Sequence, residues 1–201
     1  DTVLIDGGGF SDNNAFDVGA KILAPLLWRR KIGSIDLVVL THPNSDHLNG
    51  LLFLLQHFDV KAVWSNHEPA DTAGYRKWRR LLERRGIRHR NFQTLPAVVE
   101  RNGVRFEVLA PPRDFLKRRL TETWRDPNNN SMVVRVSLGK VSILMTGDIA
   151  KQAELELVGR YASQRLRSTV LMVPHHGSRK SSTIDLLSAV DPKEAVISAG
   201  W

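Results

Sequence analysis

The sequence predicts an α/β fold of mixed strands and helices, and three observations carry that prediction. Leu37-Val38-Val39-Leu40 is a short apolar run, partly β-branched and introduced by Asp36, which reads as a buried strand. Leu51-Leu52-Phe53-Leu54-Leu55 lacks β-branched residues and reads as the start of a buried helix, so a strand and a helix flank the polar stretch Thr41–Gly50. Val104, Phe106 and Val108 alternate with Arg105 and Glu107, the pattern of a half-buried strand. With 201 residues, 42% hydrophobic and 25% charged, the chain suits one sizeable domain with its own core.

Taken in order, Asp1–Ile5 reads as a strand entering the glycine-rich turn Asp6-Gly7-Gly8-Gly9. No Lys-Ser/Thr follows at the spacing of a phosphate loop, so the glycines are read as permitting close backbone approach to a site. Asp12 or Asn14 is the candidate cap of a helix over Ala15–Lys31, which Pro25 should bend because it removes one helical donor. A strand Val60–Ser65 is expected next, then a helix Gly74–Arg85 with Trp78, Leu81 and Leu82 on its inner side. The strand Gly103–Ala110 stops at Pro111-Pro112, and the asparagine-rich stretch Leu116–Asn130 is expected to be a loop with one helical turn near Phe115. Ser131–Thr146 reads as a hairpin turning at Gly139-Lys140, its second strand ending on Gly147-Asp148-Ile149. A helix Ala150–Tyr161, with Leu155 and Val158 inward, leads to a strand Val170–Val173 that ends in Pro174-His175-His176-Gly177-Ser178. A short helix Ile184–Val190 and a strand Ala195–Ile197 complete the order. No repeat, linker or low-complexity tract interrupts it, so a single domain over 1–201 is expected. Both ends fall abruptly on strand-like segments, and the chain is read as a piece of a longer polypeptide.

Ligand-type side chains collect at three of these strand ends: His42, Asp46 and His47; then Asp148; then His175 and His176. In open α/β sheets, ligands sit outside the carboxyl ends of the strands. Imidazole nitrogen and carboxylate oxygen together suit Zn²⁺, Mn²⁺ or Fe. Taken singly, a loop histidine is ordinarily a solvated polar residue, and Asp148 has a plainer reading as a helix N-cap. His57, His67 and His89 are read as structural or surface residues without partners. Cysteine is absent, which excludes disulfides, thiolate nucleophiles and sulfur-held metals. No Gly-x-Ser-x-Gly elbow is present either.

The formal charge of +8, with a pI near 10.2, favours polyanionic partners, either nucleic acid or an anionic membrane surface, or else serves solubility. Arg76, Arg80 and Arg84 recur at helical spacing and would share one face. That face is either solvated or a ridge that tracks phosphates. No apolar run is long enough to span a bilayer.

His42-x-Asn44-x-Asp46-His47 resembles the H-x-H-x-D-H signature of the metallo-β-lactamase superfamily. Asn130-Ser131, Thr146-Gly147-Asp148, Pro174-His175-His176-Gly177-Ser178 and Ser198-Ala199-Gly200 follow in order. With them, nearly the whole chain resembles the C-terminal metallo-β-lactamase-like domain of ComEC-type competence proteins, the inner-membrane channels of natural DNA uptake. The resemblance implies a four-layer αββα sandwich with the metal site at one edge, Asp6 opening its D-x-G turn. It implies that His42 sits in a first metal site, Asp46 and His47 in a second, that Asp148 bridges them, and that His176 completes the second. His175 would face away in an extended chain and takes a phosphate contact or acid role, the order of the two histidines staying open. Asn44 offers a neutral amide where the superfamily has His, and no His lies between Arg90 and Pro174, so Asn130 or Ser131 is nearest the third ligand's place. One divalent ion held firmly and a second held loosely are expected, Mn²⁺ or Zn²⁺ first and Mg²⁺ as the alternative. The function implied is metal-dependent hydrolysis of phosphodiester bonds as a DNA nuclease. Asp46 would orient or deprotonate water, His175 and Ser178 would touch the phosphate, and Arg76, Arg80 and Arg84 would hold the strand. The alternative is a non-catalytic DNA-guiding module with a degraded metal site. Implied partners are DNA and the membrane-channel portion of the same polypeptide, with this domain on the extracytoplasmic side of the bacterial inner membrane.

Overall fold

In Asp1–Thr94 the short apolar runs pair in parallel, as runs buried on both faces do. The computed structural model describes residues 1–11 and 15–199, and the chain divides into two compact units, Asp1–Thr94 and Leu95–Trp201. The first unit holds strands β1 (Val3–Ile5), β2 (Ser34–Ile35), β3 (Leu37–Leu40), β4 (Asp59–Val60), β5 (Ala62–Ser65) and β6 (Arg88–Asn91). Four form a parallel sheet in the order β1-β3-β5-β6, and β2 pairs with β4. Because the sheet is parallel, the residues that follow β1, β3, β5 and β6 all emerge at one edge. The strand expected over Val60–Ser65 is split between β4 and β5, with Lys61 between them.

The helix expected from Ala15 begins later and winds differently. Residues Gly19–Leu23 form a wide π turn that leads into α1 (Ala24–Arg29). Pro25 brings no N–H to the turn before it, and the chain takes that turn in the wider winding. The Ala20 amide donates to Asp17 Oδ1 at 3.0 Å; the caps expected at Asp12 and Asn14 lie outside the described residues. Helix α2 (Ser45–His57) buries Leu48, Leu51, Leu52, Leu54 and Leu55 against α3 (Ala73–Arg84), whose Trp78 and Leu82 face the same core. Each fully buried leucine contributes about 2 kcal/mol of transfer free energy. Thr72 caps α3 by accepting from the Tyr75 amide at 3.1 Å. The glycine turn lies directly on α2: a Cβ at Gly50 would stand 2.0 Å from the Gly7 carbonyl oxygen. No larger residue fits there without moving backbone.

The second unit holds β7 (Val98–Arg101), β8 (Val104–Ala110), α4 (Phe115–Arg118), β9 (Val133–Leu138), β10 (Val141–Met145), α5 (Lys151–Arg160), α6 (Ser163–Leu166), β11 (Val170–Met172), α7 (Ile184–Val190) and β12 (Glu194–Val196). Its six strands run β12-β11-β10-β9-β8-β7, antiparallel from β7 to β10 and parallel from β10 to β12. The hairpin expected over Ser131–Thr146 is β9-β10. Alternation along β8 breaks where the register shifts between Val108 and Ala110, so Leu109 rather than Val108 is buried. Glu107 is buried too, held by Arg105 at 3.4 Å, Arg135 at 3.3 Å and Arg165 at 3.5 Å. On α5 the inner face is Ala153 and Leu157, not Leu155, which is 42% exposed. Glu154 is buried beside them and accepts the Ser182 and Thr183 amides at 2.6 and 2.7 Å, which anchors the segment leading into α7. The polar loop before Asn130 is pinned by Arg125, whose fully buried guanidinium meets Glu122 at 2.5 Å and Glu156 at 2.7 Å.

Candidate metal centre

Each unit builds its own set of ligand-type side chains. In the first, β1 and β3 are neighbours, with Ile5 opposite Val39, so Asp6 and Thr41 leave adjacent strand ends. Asp6 Oδ1 accepts the Thr41 amide at 2.8 Å, and Oδ2 accepts the Thr41 hydroxyl and His47 Nδ1–H, each at 2.7 Å. Because the Thr41 proton goes to Asp6, the Thr41 oxygen accepts from His42 Nδ1–H at 3.1 Å. One carboxylate thus sets both tautomers, with the protons on Nδ1 and the lone pairs on Nε2. The two rings lie 4.2 Å apart between centroids, and His42 and His47 are 0% and 6% exposed. Asp6 adopts φ 57°, a left-handed conformation that Asp tolerates better than most residues.

The stretch Thr41–Gly50, which reads as one loop, is half helix. His42 precedes α2, Asn44 is its N-cap residue, and Asp46 and His47 fall in its first turn. Asp46 is exposed there, where the helix dipole favours a carboxylate. Asp6 is the residue that sequence reasoning missed. Its signal was an acid at a strand end before three glycines, but its partners are set by strand pairing.

In the second unit, Asp148 is 3% exposed, its amide donating to Ser131 Oγ at 3.0 Å. It does not sit at the cap of α5; Ala150 does, and the Ala150 amide donates to Asn129 Oδ1 at 3.0 Å. Asp148 Oδ2 instead faces His176 Nε2 at 3.5 Å and His175 Nε2 at 3.9 Å. His176 Nδ1–H donates to the Ser198 carbonyl at 2.6 Å, which again leaves the lone pair on Nε2. His175 Nε2 accepts from Asn128 at 3.5 Å, while its Nδ1 is buried without a hydrogen-bond partner. The two histidines are not extended: they take φ 49° and 54°, and Gly177 takes 77°, inside a tight 3₁₀ segment Pro174–Gly177. This left-handed turn aims both Nε2 atoms at Asp148, so the expectation that His175 faces away, which assumed an extended chain, does not hold. Two non-glycine residues held there cost about 1–2 kcal/mol each, strain of the kind that collects at functional sites. Ser178 closes the turn, its amide donating to the His175 carbonyl at 2.8 Å. Asn130 and Ser131 are both buried at the start of β9, beside Asp148; Gly200 of the closing motif lies outside the described residues.

The remaining histidines do have partners. His57 lies against Phe53 with centroids 4.2 Å apart, and His67 lies against His89 at 4.0 Å. Arg76 pairs with Asp71, whereas Arg80 and Arg84 line a surface groove of about 560 Å³ together with Lys77 and Arg85.

The donors of each unit suit a borderline divalent cation. His42, His47 and His176 offer Nε2, and Asp46 and Asp148 offer carboxylate oxygen, the nitrogen–oxygen chemistry of Zn²⁺ and Mn²⁺. The Asp6–His47 pair is the carboxylate–histidine contact that orients metal ligands.

A family model described as the metallo-beta-lactamase superfamily matches residues 1–201. ComE operon protein 3 of Bacillus subtilis is 29% identical over 214 residues, covering 98% of this chain and 25% of that protein. Competence protein ComA of Neisseria gonorrhoeae is 32% identical over 191 residues, covering 92% of this chain and 24% of that protein. The chain spans about a quarter of the length of these curated relatives. Among solved structures, the metallo-beta-lactamase fold protein YhfI of Bacillus subtilis superposes with a TM-score of 0.53 at 12% identity, covering 96% of this chain and 71% of that one, which shows the shared fold. No helix among the described residues is long and apolar enough to cross a membrane.

Proposed function

The chain belongs to the metallo-beta-lactamase superfamily, and from that premise we propose that it is a metal-dependent phosphodiesterase acting on DNA. The observation that carries the reading is the Asp6–Thr41 network, which fixes His42 and His47 in one tautomer. Such a network has little purpose for two core histidines and a direct one for two ligands. In this reading His42, Asp46, His47, Asp148 and His176 would hold one divalent ion firmly and a second loosely. When bound, the ion supplies Lewis acidity that lowers the pKa of water and draws charge from a phosphodiester.

The chain's own residues do the rest. Asp6 and the Ser198 carbonyl keep the protons of His47 and His176 on Nδ1, away from the ligand atom. Asp46 orients water and takes its proton on a carboxylate oxygen. His175 meets a phosphate oxygen or, as the imidazolium, hands a proton to the departing alkoxide and returns to neutral imidazole, and Ser178 donates its hydroxyl to the same phosphate. One relative is named a competence protein, which supports a role in DNA uptake alongside a membrane channel, on the extracytoplasmic side of the inner membrane.

A second reading has one observation in its favour. Asn44, at the second ligand position, is a neutral amide that serves as the N-cap residue of α2, so the domain would guide DNA without cutting it. Asn44→Asp separates the two. In an enzyme limited by its weaker site, the added charge should tighten a second Mn²⁺ binding step and lower the Mn²⁺ needed for DNA cleavage. A domain that binds DNA yet cuts none at saturating Mn²⁺, as wild type and as the Asn44→Asp variant alike, is a guide.

A further inference from the structure

His67 and His89 lie outside the ligand sets but at the same edge of the same parallel sheet. Leu40 stands opposite Ser65 and Ser65 opposite Asn91, so the segments after β3 and β5 emerge side by side, with β6 next to them. Ser65 Oγ accepts the His67 amide at 3.2 Å and lies 2.8 Å from His89 Nε2, and the two rings are inclined by 37°. His67 is itself held at φ 56°, and its Nε2 is buried without a hydrogen-bond partner. A buried polar nitrogen left unmatched costs about 1–3 kcal/mol and calls for an explanation.

Around this pair is an open cavity of about 610 Å³, walled by Tyr75, Arg79, Leu82 and Ile87, within the size range of small-molecule sites. Burial and the Arg79 charge lower the basicity of His67, and burial, His67 and Arg79 hold His89 at about 4, so both rings are neutral near pH 7. The cavity therefore combines flat, uncharged π surfaces with one cation, Arg79, and one carboxylate, Glu83, at its wall, and Arg79 forms no ion pair among the described residues, which leaves its charge open to a phosphate. Tyr75 and Arg79 sit one turn apart on α3, and the Arg80–Arg84 groove lies along the same helix. Stacking surfaces beside a basic track are how proteins take hold of single strands.

We propose that this cavity is a subsite for one unpaired nucleotide of a nucleic-acid strand, its base against the His67–His89 pair and its phosphate on Arg79. The strand continues along Arg80 and Arg84, which favours a polynucleotide over a free mononucleotide as the occupant. A base inside a duplex cannot enter, so the subsite selects single strands. The proposal rests on the DNA-directed reading of the domain but not on metal or catalysis.

The test is fluorescence anisotropy in EDTA, with a labelled single-stranded oligodeoxynucleotide of mixed sequence and the corresponding duplex. Wild type should prefer the single strand. His67→Ala and Arg79→Ala should each weaken single-strand binding by about 5- to 150-fold and leave duplex binding almost unchanged, while His67→Phe, which retains a stacking face, should recover part of the loss. In wild type, the unlabelled single-stranded oligodeoxynucleotide should shift the ring resonances of His67 and His89, a readout that needs no variant to fold. Single-strand affinity unchanged in both alanine variants, equal losses for duplex and single strand, or unmoved ring resonances would overturn the subsite. A wild type that binds in EDTA but never cuts with Mn²⁺ would remove the nuclease reading and leave the subsite standing.

Discussion

Asp6 receives three donors at 2.7–2.8 Å, from the Thr41 amide, the Thr41 hydroxyl and His47 Nδ1. Asp6→Asn keeps the shape and tolerates the φ of 57°, but its amide cannot accept all three donors. Mn²⁺ affinity measured by titration calorimetry should fall by about 10- to 100-fold; unchanged affinity would reduce Asp6 to a brace for the Thr41 loop. A second residue predicts a pH dependence. Burial, then His67 and Arg79, depress His89 from 6.5 to about 4. Between those values the unfolded chain binds a proton that the folded chain does not, so stability is full above about pH 6.5 and lost as the pH falls toward 4. Discounted for partial exposure, the loss is on the order of 2 kcal/mol. Urea midpoints near pH 7 and about pH 4.5 should therefore converge more closely in His89→Gln than in wild type, and an equal spread in both would contradict this assignment. His42, Asp46, His47, Asp148, His175 and His176 were all legible in the sequence as ligand-type residues at strand ends. Asp6 was not, because only the pairing of β1 with β3 brings it to Thr41 and His47.

Helix α3 carries two different faces. Tyr75 and Arg79 turn to the imidazole cavity, while Arg80 and Arg84 line the basic groove with Lys77. Neutralising Arg80 and Arg84 to Gln should lower the slope of log affinity for single-stranded DNA against log salt by about 0.7 for each phosphate that is no longer neutralised. Arg76→Gln should change it less, since Asp71 already holds that guanidinium. A double variant with the wild-type slope would place the DNA path elsewhere. At this scale, elements with an apolar pattern were read closely, while β2, β6 and β7, short or polar, were not anticipated. Leu37–Leu40 is a strand over the expected residues, and Ile184–Val190 is the expected helix. Helix α2, however, begins at Ser45, before the apolar run that announced it, because its first turn is polar and carries no apolar signal. Likewise the β8 register shift put Leu109 inside, and Glu154 entered the α5 interior because two backbone amides await it. Such exchanges are tertiary, and no local pattern announces them.

Across the molecule, the order of motifs was the most informative signal, and the family match over residues 1–201 agrees with it. Each unit holds ligand-type histidines oriented by its own hydrogen bonds, His47 by Asp6 and His176 by the Ser198 carbonyl. The formal charge of +8 adds a long-range attraction for a polyanion. Metal identity was not legible, because the same nitrogen and oxygen donors serve several divalent ions. The central claim is that these residues make a metal-dependent DNA hydrolase with Asp148 at its heart. It is tested most directly by Mn²⁺-dependent cleavage of single-stranded DNA, with wild type and Asp148→Ala assayed side by side at matched circular dichroism. Wild type should cut in proportion to added Mn²⁺ and stop in EDTA, and Asp148→Ala should cut at no concentration. A wild type that leaves DNA intact at saturating Mn²⁺, or an Asp148→Ala variant that cuts equally well, would contradict it.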